Sequence, residues 1–258
     1  VSMGLLTSED LADVPSFPEH RVAYDEVAAW KGRCLDTAFV RARRSPQMTG
    51  EVRQFFHGQK AWLEDYALFS AIKKRFDGQP WVAWPKPLRD RDPDALEVQR
   101  QELALDMERE VFRQYLFFRQ WGSLRAFCSA KGLRILGDVP IFVDHDSADV
   151  WSHRALFLLE SDGLPSTVAG VPPDYFSPTG QRWGNPLYNW DALRETSFRW
   201  WEERLVHALC WCDELRIDHF RGFSACWSIP AQDSTAERGV WKTVPGEELF
   251  QHLKRRLG

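Results

Sequence analysis

The stretch Leu215-Arg216-Ile217-Asp218-His219-Phe220-Arg221-Gly222-Phe223 decides how the rest of the chain is read. It begins apolar, with Leu215 and Ile217, as a buried strand does. It then turns abruptly polar and reaches a glycine. A carboxylate between an arginine and a histidine at a strand end is poorly explained by packing, because a buried charge is costly unless it is paired. The cluster marks either a functional site or a paired structural aspartate capping the junction of strand and loop.

Working outward from that stretch, Asp191 is placed to cap a periodic helix carrying Leu193, Trp200, Trp201, Leu205 and Leu209. Before it, residues 161–189 are rich in Gly and Pro and read as one long loop, a class of segment that is usually functional. Ser147 or Asp146 caps a short helix through Trp151. The run Leu133–Val143 is apolar without clean alternation, which suits a parallel strand covered on both faces, with Asp138 near its end. A long, bent helix is predicted over 93–131, with Gly132 at the C-terminal cap. Helix, strand, loop, helix, strand is the grammar of a parallel βα unit. About 80 residues separate the two strands, far more than the ~30 of a simple crossover. In a βα barrel the long loop and the strand ends meet at the active site, so Asp138 and Asp218 are expected to converge. The N-terminal part reads as helices over 25–39 and about 52–76, followed by the proline-broken segment Pro80–Pro87. Residues 1–95 are therefore expected to form a helical subdomain and 96–258 a barrel segment.

Composition narrows the function classes. A net charge of −4 gives no basic footprint for nucleic acid. No apolar run approaches the ~20 residues of a membrane span, and the N-terminus lacks the order of a signal peptide. The five cysteines show no zinc spacing and fit a reduced, cytoplasmic setting. Tryptophan is abundant, at 13 residues; indoles serve as core mass and also as the flat platforms that sugar clefts use.

Four motifs in order carry a specific resemblance: Gly137-Asp138-Val139-Pro140-Ile141-Phe142-Val143, Val168-Ala169-Gly170-Val171-Pro172-Pro173-Asp174-Tyr175-Phe176, Gly180-Gln181-Arg182-Trp183-Gly184-Asn185-Pro186-Leu187-Tyr188 and Arg216-Ile217-Asp218-His219-Phe220-Arg221-Gly222. Together they resemble the amylomaltases, the 4-α-glucanotransferases of glycoside hydrolase family 77. The resemblance implies an α/β fold, part of a (β/α)8 TIM barrel with a helical insertion subdomain. It also implies transfer of α-1,4-glucan segments between maltooligosaccharides by retaining double displacement, with no cofactor or metal. Asp218 would be the catalytic nucleophile, and Arg216 would pair with it and keep it ionised. His219 and Asp138 would hydrogen-bond the sugar. Asp174 and Gln181 would be polar contacts to the glucan, with Tyr175 and Trp183 as platforms. The family's acid/base glutamate lies on the next barrel strand, past a helix matching 245–257, so the chain reads as an internal fragment with little or no activity alone. Glu247 and Glu248, in the first turn of that helix, are explained by the helix dipole instead.

Two other readings accompany this one. A non-catalytic glucan-binding fragment would bind maltooligosaccharides without turnover. A metal-dependent hydrolase would use Asp144, His145, Asp146, Asp149 and His153, where 145, 149 and 153 fall at i, i+4 spacing. Asp174, after two prolines, and Asn185-Pro186 are also read as turn residues.

Overall fold

The computed structural model describes residues 3–258. In chain order it contains α1 (Tyr24–Ala42), α2 (Pro46–Arg75), α3 (Lys86–Arg89), α4 (Pro93–Glu102), α5 (Ala104–Ala130), β1 (Leu136–Pro140), α6 (Ala148–Ser152), β2 (Thr167–Val171), β3 (Gln181–Pro186), α7 (Trp190–Glu195), α8 (Arg199–Leu209), β4 (Glu214–Asp218), β5 (Ala225–Pro230), β6 (Val240–Thr243) and α9 (Gly246–Leu257). Two compact units emerge, one of residues up to Ile72 with Gln99–Gln120, the other of Lys73–Val98 with Trp121–Gly258. This division follows packing, whereas the one at 95/96 follows chain order. No helix among the described residues is long and apolar enough to cross a membrane.

The first unit is helical. Its core gathers Leu5, Ala38, Phe39, Ala42 and Met48 with Phe112, Tyr115 and Leu116. A second cluster, Leu63, Ala67 and Val111, continues it. Pro46 occupies the first helical position of α2, where a missing N–H costs nothing. The bend expected between 93 and 131 falls at Leu103, between α4 and α5.

In the second unit β1 and β4 pair in parallel, with Asp138 opposite Arg216 and Pro140 opposite Asp218. Register is fixed where the pair begins: Asp213 Oδ2 accepts the Ile135 N–H at 2.8 Å, the Asp213 N–H donates to Ile135 O at 2.8 Å, and Arg125 Nη2 reaches Asp213 Oδ1 at 2.8 Å. Both strands alternate between exposed and half-buried residues. This differs from the cover on both faces expected of a continuous apolar run: Leu136, Asp138 and Pro140 of β1 and Glu214, Arg216 and Asp218 of β4 form one exposed face.

The segment 161–189 departs further from expectation. It is not one loop, because it holds β2 and β3, which join β5 and β6 in an antiparallel sheet of order β3-β2-β5-β6. Their Gly and Pro residues conceal strands whose ladder is completed by β5, far downstream. Pairing shifts register between Val168 and Gly170, and a Cβ at Gly170 would lie 2.1 Å from Gln181 O and 2.5 Å from Ile229 Cδ1. Only glycine admits so close a backbone approach at a bulge. Gly170→Ala is expected to destabilise the second unit by about 1–3 kcal/mol, read as a lowered urea midpoint with an unchanged denaturant slope.

Candidate active site

The open face of the parallel pair positions three charged groups. Side chains two residues apart on a strand share a face, so Arg216 and Asp218 project together from β4, and the register sets Asp138 beside them. Arg216 grips Asp138 with a fork: Nε to Oδ1 at 3.0 Å and Nη2 to Oδ2 at 2.5 Å. The same Nη2 stands 3.6 Å from Asp218 Oδ1. The guanidinium is thus shared, with its bidentate bond on Asp138 and only an ion-pair contact to Asp218. Local spacing suggested the pairing within β4 and did not reveal the stronger one across strands. The Arg216 guanidinium holds the Asp138 carboxyl below its ordinary range. The Asp218 side chain is 60% exposed, and among the described residues no such fork holds it.

Beyond Asp218 the chain turns through His219 in the left-handed region (φ 51°) and a 3-10 turn, Phe220–Phe223. The His219 ring meets Trp183 edge to face at 4.7 Å. Burial depresses the His219 pKa, with Asp218 opposing the shift. Trp183 Nε1 donates to Gln181 Oε1 at 3.1 Å, so Gln181 orients the indole. The structure therefore brings Trp183 and its partner Gln181 to His219, next to Asp218.

Asp174 and Tyr175 lie differently. Asp174 Oδ1 accepts the N–H groups of Phe176 (2.9 Å) and Ser177 (2.7 Å), which builds the turn that two preceding prolines favour. Tyr175 and Phe176, 95% and 91% exposed, stand at the loop tip with their rings perpendicular, 5.5 Å apart.

Sequence reading missed the network that fixes the chain just past β1. Arg204 Nη2 donates to Pro140 O at 2.6 Å, and Nη1 donates to Ile141 O at 3.1 Å and to the Tyr188 hydroxyl at 3.2 Å. Tyr188 donates to Ile141 O at 2.6 Å, and Asn185 Nδ2 to Val143 O at 2.8 Å. Burial pushes the Tyr188 phenol well up, so it stays a donor. The available signal was an arginine at 204 flanked by the buried residues Trp201 and Leu205 of a periodic helix.

The residues of the metal reading are dispersed into structural roles. Asp146 binds Lys73 and the Trp81 N–H, and His145 Nε2 contacts Gly163 O at 2.8 Å. Asp144 Oδ1 accepts the Asp146 N–H, while His153 Nδ1 meets Ser152 Oγ and Asp149 O. Among the described residues no three His, Cys, Asp or Glu groups converge in a manner suited to a metal.

The shared arginine makes a pH prediction. A depressed carboxyl contributes stability above its unfolded pKa of about 3.9, and loses it as pH falls through the lower folded value. Arg216→Met is expected to raise the Asp138 carboxyl pKa toward that ordinary value, followed by carboxyl-carbon NMR. The stability gap between the two proteins should close as the solution is acidified.

Comparison with known proteins fits this geometry. The family model described as 4-alpha-glucanotransferase matches residues 1–258. The 4-alpha-glucanotransferase of Thermus thermophilus is 50% identical over 246 residues, covering 95% of this chain and 49% of that protein. That of Synechocystis is 43% identical over 258 residues, covering 99% and 51%. A solved structure, amylomaltase from Streptococcus agalactiae in complex with acarbose, superposes with a TM-score of 0.95 at 37% identity, covering all of this chain and 52% of that one. The chain spans about half the length of the curated relatives it matches. Its α/β fold is part of a (β/α)8 barrel with a helical insertion. The chain belongs to the 4-alpha-glucanotransferase family.

Proposed function

We propose that this chain supplies the nucleophile half of a retaining 4-α-glucanotransferase site acting on α-1,4-glucans and maltooligosaccharides. The carrying observation is Asp218, open to solvent at the end of β4 and beside an arginine whose fork is committed to Asp138. In this reading the Asp218 carboxylate attacks the anomeric carbon of a bound glucan. The glycosidic bond breaks, the departing sugar takes a proton from a general acid, and a covalent glycosyl-enzyme forms. The 4-hydroxyl of a second glucan then attacks the same carbon, giving up its proton to the conjugate base and releasing Asp218 with net retention.

Each neighbour has a part that its chemistry permits. Arg216 lies between two carboxylates, bonded to Asp138 and 3.6 Å from Asp218 Oδ1. His219 and the Trp183 face offer a hydrogen-bonding edge and an apolar platform to a sugar ring. Gln181 acts on the glucan by orienting Trp183. Asp174 acts by shaping the loop that presents Tyr175. Asp138 is unsuited to be the proton donor, because Arg216 holds its pKa low. Retaining chemistry needs a second carboxyl about 5–5.5 Å from the nucleophile, and we assign it to the half of the family's length that this chain does not span. By role, residues 1–95 form the helical insertion and 96–258 the barrel segment. The five free cysteines suit a reducing compartment, the cytoplasm in our reading.

The test combines binding and transfer. The chain alone is expected to bind maltoheptaose without disproportionating maltotriose. Placed into the Thermus thermophilus enzyme in exchange for the matching segment, it should support transfer. Asp218→Asn in that chimera should cut transfer by roughly a thousandfold or more while leaving affinity nearly unchanged. Disproportionation by the isolated chain, or a chimera indifferent to Asp218→Asn, would overturn the assignment.

A further inference from the structure

The turn after Asp218 is held by the antiparallel sheet at two points. At one, His219 meets Trp183 of β3. At the other, the Arg221 guanidinium lies 4.7 Å from the ring centroid of Trp241 on β6. Trp241 pairs across the ladder with Trp227 of β5, their rings T-shaped at 5.3 Å. Trp227 is itself anchored, its Nε1 donating to Ala236 O at 2.9 Å. Because β6, β5, β2 and β3 are consecutive in one sheet, these contacts close a circuit. It runs from His219 through the turn to Arg221, across Trp241 and the ladder to Trp183, and back to the His219 ring.

Nothing in the sugar-transfer chemistry uses Arg221 or Trp241. Both are exposed, Trp241 at 45%. Among the described residues Arg221 has no carboxylate partner and lies over an indole instead, a geometry in which a planar cation is attracted to the ring face. The C-terminal part of the turn is packed elsewhere, with Phe223 buried against Trp201 and Phe250. His219 sits in the left-handed region, φ 51°, which is uncommon for a residue other than glycine. One backbone bond, Val244 N–H to Ser224 O at 3.2 Å, ties the end of this turn to the residues after β6.

We propose that Arg221 and Trp241 are positioning residues whose stack clamps the 219–223 turn to edge strand β6 and so fixes the His219 ring against Trp183 in the sugar site. The proposal rests on the function argued above and deepens it. The clamp places sugar recognition under the control of an edge strand that takes no part in the reaction.

The experiment follows the His219 imidazole by NMR titration in the 258-residue chain, alongside maltoheptaose affinity and thermal unfolding. Trp241→Ala changes no charge, so Asp218 and Arg221 keep acting on His219, and only its enclosure changes. That variant is expected to move the His219 pKa up toward about 6.5 and to weaken affinity about two- to fivefold, the range of an exposed cation–π contact. Trp241→Phe should retain both properties. Arg221→Lys keeps the charge and loses the planar stack, and should fall between them. A folded Trp241→Ala protein whose His219 titration is unmoved would overturn the clamp. Should that variant fail to fold, an Arg221→Lys chain with parental His219 titration would overturn it equally. A parental chain that binds no maltoheptaose would remove the functional reading, while the titration still decides the clamp.

Discussion

A single guanidinium, that of Arg216, joins two strands and two carboxylates on one face of the second unit. Planar, permanently charged and forked, it can take one carboxylate in a bidentate bond and keep a third party within ion-pair range, which a lysine ammonium cannot do as well. The arrangement exists only in one register. A slip of one residue between β1 and β4 would send Arg216 or Asp138 to the opposite face. Where the same two strands begin, Asp213 exchanges hydrogen bonds with the Ile135 backbone, and Arg125 of α5 holds its carboxylate. One charge pair at the middle of the ladder and the Asp213–Ile135 bonds before it thus agree on a single alignment, with the apolar side chains of the other face filling in behind.

The split between ladder and side-chain wiring explains how the loop past β1 keeps its course. The ladder ends at Pro140, the last residue of β1, and the carbonyls beyond it lie among buried residues, where an unpaired one is costly. Arg204, Tyr188 and Asn185 answer for Pro140, Ile141 and Val143 in turn. Arg204 can serve there because Trp200 and Trp201 lie beneath it, at 5.3 and 4.9 Å, so a cation half withdrawn from water still faces favourable partners.

Much of this was legible in the residues. The switch from Ile217 to Asp218 and His219 marked the candidate site, and helical periodicity marked α1 and α2; the single helix expected from Asp191 is instead two, α7 and α8, the first capped by Asn189. What stayed hidden is what local spacing does not encode. Arg216 lies two residues from Asp218 in sequence and 78 from Asp138, yet the fork goes to the distant one, because cross-strand register is a property of the folded pair. Strands β2 and β3 were concealed for a similar reason, since Gly170 and the prolines read as loop until β5 is set beside them. Asp174 was open to two readings from the start, and its hydrogen bonds favour the turn.

The loop that Asp174 organises has a separable design. Its path is set from below, by one carboxylate holding two amides, by Ser177 Oγ bonding Gly180 O at 2.7 Å, and by the Ala236 N–H donating to Thr179 O at 2.9 Å. The aromatic pair at its summit contributes nothing to that path. Backbone shape and tip chemistry are thus inherited independently. Evolution, or an engineer, can exchange the two rings at 175 and 176 for other side chains while the hairpin beneath keeps its form, and any visitor meets side chains carried on a backbone whose ordering cost has already been met.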